Sequence, residues 1–147
     1  MEDQLKRLIQ YIDEFDRQGP YKMNVLKIML GRGSQDWYAP ISITELAKPY
    51  YDLVNEQLRS YTLKNMNADF TTNFSQAKME RHLRTMPLKF LSTTSTRVSN
   101  ISPPFELIDD MFYVREEYRI EGQVAHDRII KAVEQKFEEY LEVFSER

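Results

Sequence analysis

The stretch APISITELAKPYY, Ala39 to Tyr51, holds a helix start around which the rest of the chain can be placed. Ser42 is a good N-cap, and Glu45 three residues on completes a capping box. Ile41 before the cap and Leu46 after it are positioned to close a hydrophobic staple. A helix therefore begins here, entered through the short apolar run Ile41-Ser42-Ile43.

Working outward toward the N-terminus, Leu5, Leu8, Ile9, Ile12 and Phe15 recur at helical spacing and predict a first helix over about residues 2–17, ended by Gly19-Pro20. A second helix, from about Tyr21 to Leu30, is apolar on more than one face (Val25, Leu26, Ile28, Met29), which predicts a central, buried position. Gly31-Arg32-Gly33-Ser34 follows without the spacing of a phosphate-binding loop and reads as a turn. Trp37-Tyr38, just before the capping box, are expected to pack under a sheet edge.

Toward the C-terminus, the helix after Ser42 places Leu46, Tyr50, Leu53, Val54 and Leu58 on one face, with Pro49 expected to kink or split it. Arg59 to Asn73 reads as a long loop. The next helix begins near Phe74 or Ser75, with Met79, Leu83, Met86 and Phe90 on its apolar face and a kink expected near Pro87. Phe105 to Val114, FELIDDMFYV, reads as two short strands around Asp109-Asp110, a hairpin signal. The last helix, about Gln123 to Phe144, carries Ile130, Val133, Phe137, Tyr140, Leu141 and Phe144 on one stripe, to be buried against the first helix or a second copy of the chain. Helices before the start at Ser42, and a helix and a hairpin after it, come in the order that a winged helix uses. The expected fold is thus α+β, mainly α, of winged-helix type, with a small hairpin wing and extra terminal helices: residues 1–20 an N-terminal helix, 21–115 the winged-helix-like domain, and 116–147 the C-terminal amphipathic helix.

The chain has 147 residues and no cysteine, which excludes disulfides and thiolate zinc sites. No apolar run approaches the ~20 residues of a membrane span. The N-terminus MEDQLKRLIQ is acidic, amphipathic and without the apolar region of a signal peptide, so a cytoplasmic location and no membrane partner are expected. Net charge is −3, but unevenly spread. Residues 1–58 carry 7 Lys/Arg against 9 Asp/Glu, residues 59–104 carry 7 against 2, and residues 105–147 carry 6 against 12. An anionic partner should meet the basic middle third.

Catalysis finds little support. The two histidines, His82 and His126, are far apart, and neither HExxH nor GxSxG occurs. Asp109-Asp110 offer oxygen donors to a hard cation, yet paired carboxylates on a turn are ordinary hairpin chemistry. No metal, no cofactor and no enzymatic activity are expected. A small metal-dependent nuclease built on Asp109, Asp110, Glu116 and Glu117 is the reading kept in third place. The basic helix has a clearer use. Ser75, Gln76, Lys78, Arg81, His82 and Thr85 supply the cationic and hydrogen-bonding groups that a helix in a DNA groove needs. Arg97 and the hydroxyl run 92–96 could hold backbone phosphates. Arg84 and Lys89 are placed off this face.

The segments NVLKIMLGRG and ISITELAKPYYDL, the basic third helix and PFELIDDMFYV together resemble the N-terminal winged-helix domains of bacterial restriction and defence proteins, often nucleases of the HNH type. The resemblance covers about residues 20–115 and is a pattern of positions without an invariant motif. It implies a recognition module for double-stranded DNA, in some relatives modified or phosphorothioated, or a stand-alone regulator of a restriction, defence or transcription-control system. The HNH part has no counterpart here, so the resemblance places any cleavage in another domain or partner. The competing expectation is a protein-interaction or dimerisation module that uses the same scaffold and the C-terminal helix, with a homodimer as its natural product.

Overall fold

The computed structural model describes residues 2–15, 19–63, 68–93 and 103–144. The protein is mainly helical, with a small three-stranded antiparallel sheet. Helix α1, Glu2–Asp13, buries Leu5, Leu8, Tyr11 and Ile12. It ends short of the expected residue 17, and residues 16–18 lie outside the described set. Helix α2, Tyr21–Leu30, buries Met23, Asn24, Val25, Leu26, Met29 and Leu30, the all-round burial that its apolar pattern predicts.

The loop after α2 is built as a turn. Gly33 has φ +107°, a left-handed conformation that suits glycine. The Arg32 guanidinium donates to the carbonyls of Trp37 and Ala39, both at 2.7 Å, and so folds the loop onto itself. Trp37 is buried, and its indole donates to the Ile120 carbonyl at 2.8 Å, joining this loop to the segment that follows the hairpin.

Strand β1, Ile41–Ser42, leads straight into helix α3, Ile43–Tyr61. The cap is formed as its sequence requires: Ser42 Oγ accepts from the Glu45 amide at 3.0 Å and donates to the Glu45 carboxylate at 3.0 Å. Ile41 and Leu46 are both buried. Replacing Ser42 by Ala is expected to destabilise the protein by ~1 kcal/mol, because the Glu45 amide loses its acceptor. A urea-unfolding midpoint unchanged on that substitution would contradict this. Helix α3 runs unbroken through Pro49. Pro49 and Glu45 are exposed, so the carbonyl that proline leaves without its helical donor lies on the solvent face. The helix also continues two residues past Arg59, where a loop is expected, and stops at Thr62 with φ 50°.

The chain then returns along α3. Asn55 donates to the Phe70 carbonyl and the Tyr51 hydroxyl to that of Thr72. A 3-10 turn at Ala68–Phe70 seats the Phe70 ring in the core. Helix α4, Gln76–Thr85, is capped by Ser75, and Gln76 reaches the Thr44 carbonyl at 3.1 Å, so α4 starts against the start of α3. The residue before a proline is pushed out of the helical region, and Met86 obeys with ψ −94°. The result is two helices, α4 and α5 (Pro87–Ser92), rather than one kinked helix. The break turns the apolar face toward Leu88 and Leu91. Met86 and Phe90, expected to be buried, are 38% and 49% exposed.

Strands β2, Phe105–Ile108, and β3, Met111–Val114, pair antiparallel with Ile108 opposite Met111. Asp109 and Asp110 form the two-residue turn, with φ 50° and 63°. This left-handed pair matches the right-handed twist of the strands. Strand β1 pairs with β3, giving the order β1-β3-β2. The Phe105 and Phe112 rings stack on the inner face at 5.3 Å. Helix α6, Gln123–Phe144, has the predicted bounds and packs against α1 and α2 within the same chain. It buries Val133, Phe137, Tyr140 and Leu141 of the expected stripe, with Ile129 added to them, while Ile130 and Phe144 are half-buried at its edges. Side chains of all six helices and all three strands belong to one hydrophobic core.

Candidate nucleic-acid interface

The buried side of α4 is formed by Met79, His82 and Leu83. On a helix advancing about 100° per residue, the opposite side is centred on positions 77, 81 and 84. Ala77, Arg81 and Arg84 are all exposed, with Lys78 and Thr85 exposed beside them. The outward face of α4 therefore carries three cations within two turns.

This differs from the sequence expectation in two places. His82 is not on the exposed face. It is 3% exposed, and its Nε2 shares a 3.0 Å hydrogen bond with the Tyr50 hydroxyl of α3. The rings of Tyr21 and Phe70 approach it edge-on at 4.9 and 5.0 Å. Burial in this aromatic box pushes the His82 pKa down to about 4, against a smaller upward pull from Asp69. The imidazole is therefore neutral at pH 7 and closed off from a nucleic acid. It helps hold α4 on α3, with no contact to a ligand. Arg84, set aside from the sequence, stands instead at the centre of the face. The signal was present: Arg84 is one turn beyond Arg81 and opposite Met79 and Leu83.

The other expected residues divide by role. Ser75 Oγ accepts from the Lys78 amide and serves as the cap. The Gln76 amide group is engaged by Thr44 and by the Glu80 carboxylate at 2.7 Å, which leaves it little freedom to read a base. The Thr85 hydroxyl donates to the Arg81 carbonyl at 2.8 Å. Lys78 and Arg81 are exposed. Arg97 and residues 94–96 of the hydroxyl run lie outside the described residues, while Ser92 donates to the Leu88 carbonyl at the end of α5.

Three carboxylates near the hairpin, Asp110, Glu106 and Glu117, are held in ion pairs. Asp110 is bound by Arg84 on both oxygens, at 3.0 and 2.9 Å, which holds its carboxyl below the usual range. Arg115 reaches Glu106 at 3.0 Å and Glu117 at 3.1 Å. Among the described residues no group of three or more His, Cys, Asp or Glu side chains is placed to hold a metal ion. No described helix is long and apolar enough to cross a membrane.

The chain matches no family model, no curated protein and no solved structure.

Proposed function

We propose that this chain is a winged-helix-type module that binds duplex DNA through the outward face of α4 and performs no chemistry itself. The observation that carries the reading is the pairing of a cationic outward face, Lys78, Arg81 and Arg84, with a helix seated across α3 beside a sheet of order β1-β3-β2. That order, with a strand stub before α3 and a hairpin after the basic helix, supports the winged-helix reading. Two features depart from the pattern. Helices α3 and α4 are further apart in sequence than the three- or four-residue turn of a helix-turn-helix allows, and residues 68–75 run along α3 to bring Gln76 beside Thr44. The two-residue turn at Asp109-Asp110 leaves almost no wing, so α4 carries most of the contact. A role in bacterial restriction, defence or transcription control, with double-stranded or modified DNA as the target, is what the sequence resemblance implies.

The test is a fluorescence titration of a labelled mixed-sequence duplex over a range of salt concentrations. Binding through phosphates should weaken along a straight log–log line. Changing Lys78 and Arg81 together to Ala should lower affinity and flatten the slope by roughly one unit per lost phosphate contact. Neither residue belongs to the core, so the melting curve should be unchanged. Full affinity in the double variant would take α4 out of the interface.

A further inference from the structure

Arg84 and Asp110 form a forked ion pair that ties the outward face of α4 to the hairpin turn. Arg84 Nε donates to Oδ1 at 3.0 Å and Nη2 to Oδ2 at 2.9 Å. This is the geometry in which a guanidinium also grips a phosphate. The carboxylate is held there by more than its own rotamer. Asp110 occupies the left-handed region with φ 63°, and its carbonyl accepts from the Ile43 amide at 2.9 Å, so the turn is fixed to the start of α3. Both side chains are open to solvent, 42% exposed for Arg84 and 56% for Asp110. Exposed pairs are weak, and an incoming anion can exchange with this one.

Resting on the duplex-binding reading above, we propose that Arg84 is a phosphate-binding residue of the α4 surface. In the free protein Asp110 occupies its guanidinium in place of a phosphate. On binding, one phosphate of the duplex takes over the fork and the carboxylate is released to water. The hairpin turn thereby sets a threshold: an anion must compete with Asp110 before the third cation of the face is engaged. Asp109 supplies an internal control. It shares the turn, the exposure and the left-handed backbone, but makes no ion pair with Arg84.

The experiment compares wild type, Asp109→Asn, Asp110→Asn, Arg84→Ala and the double variant Arg84→Ala with Asp110→Asn, each titrated against the same labelled mixed-sequence duplex. Asparagine tolerates a positive φ, so the turn should persist. Asp110→Gly, free of strain at that backbone angle, is the second variant should asparagine disturb it. The two single Asn variants change net charge equally and share any long-range effect. Asp110→Asn is expected to bind about threefold tighter than Asp109→Asn, a gain in the range of one weak exposed pair. That extra gain should vanish when Arg84 is absent. Arg84→Ala alone should flatten the salt slope by roughly 0.9. Equal affinity of Asp109→Asn and Asp110→Asn, or a gain that survives without Arg84, overturns the proposal while leaving binding through Lys78 and Arg81 intact. Absence of salt-dependent binding by both wild type and Asp110→Asn overturns it together with the duplex-binding reading.

Discussion

A chain ending at residue 122, before α6, is expected to lose its cooperative melting transition. The helix contributes Ile129, Val133, Phe137, Tyr140 and Leu141 to the core. Burying each is worth about 1.5–3 kcal/mol, so the five together supply on the order of 10 kcal/mol. That is comparable with the whole stability of a domain this size, about 5–15 kcal/mol. Truncation would also uncover the faces of α1 and α2 on which α6 lies. Calorimetry of the shortened chain checks this. A sharp transition within a few degrees of the full-length protein would mean that α6 is an appendage to an independent core.

Acid should weaken the protein through His82, an effect separate from ordinary carboxylate titration. In the folded state the imidazole is desolvated and its pKa lies at about 4, whereas the unfolded value is 6.5. At pH 7 both states hold it neutral and nothing is lost. As pH falls below 6.5 the unfolded chain takes up a proton that the folded chain refuses. The folded state is therefore progressively disfavoured, until its own site protonates near pH 4. At 1.36 kcal/mol per unit, the loss reaches about 2 kcal/mol by pH 5 and about 3 kcal/mol at its limit. The comparison to make is urea unfolding of wild type and His82→Gln at pH 7 and pH 5. Glutamine has no proton to gain, so the variant should lose about 2 kcal/mol less between the two pH values, even if it is less stable at pH 7. Equal losses would show that His82 is solvated in the folded state.

Much of the fold could be read from local chemistry. The Ser42 cap, the Asp109-Asp110 turn and the bounds of α6 are each specified by neighbours within a few residues, and each appears where that chemistry puts it. The departures have non-local causes. His82 lies at the border of an apolar face, where helical spacing alone is neutral between inside and outside. A hydroxyl from Tyr50, thirty-two positions earlier, gives its ring a partner and takes it inward. Once His82 moves in, the centre of the outward face shifts toward Arg84. The proline at 87 signalled a disturbance, but not that Met86 would turn the following helix enough to expose Phe90. The expected loop from Arg59 to Asn73 is overtaken by α3 only as far as Tyr61; the contacts that order its described part, Asn55 with the Phe70 carbonyl and Tyr51 with that of Thr72, are made to α3 and leave no periodic trace.

The most direct test of α4 as the interface is a titration of isotopically labelled protein with a duplex at low salt, followed by amide NMR shifts. Perturbed amides are expected to concentrate at Ala77, Lys78, Arg81, Arg84 and Thr85, extend to Asp110, and revert as salt is raised, while the acidic outer positions Glu134 and Glu138 of α6 stay still. Perturbations that centre on α6, or a spectrum unmoved by excess duplex, would contradict an interface on α4.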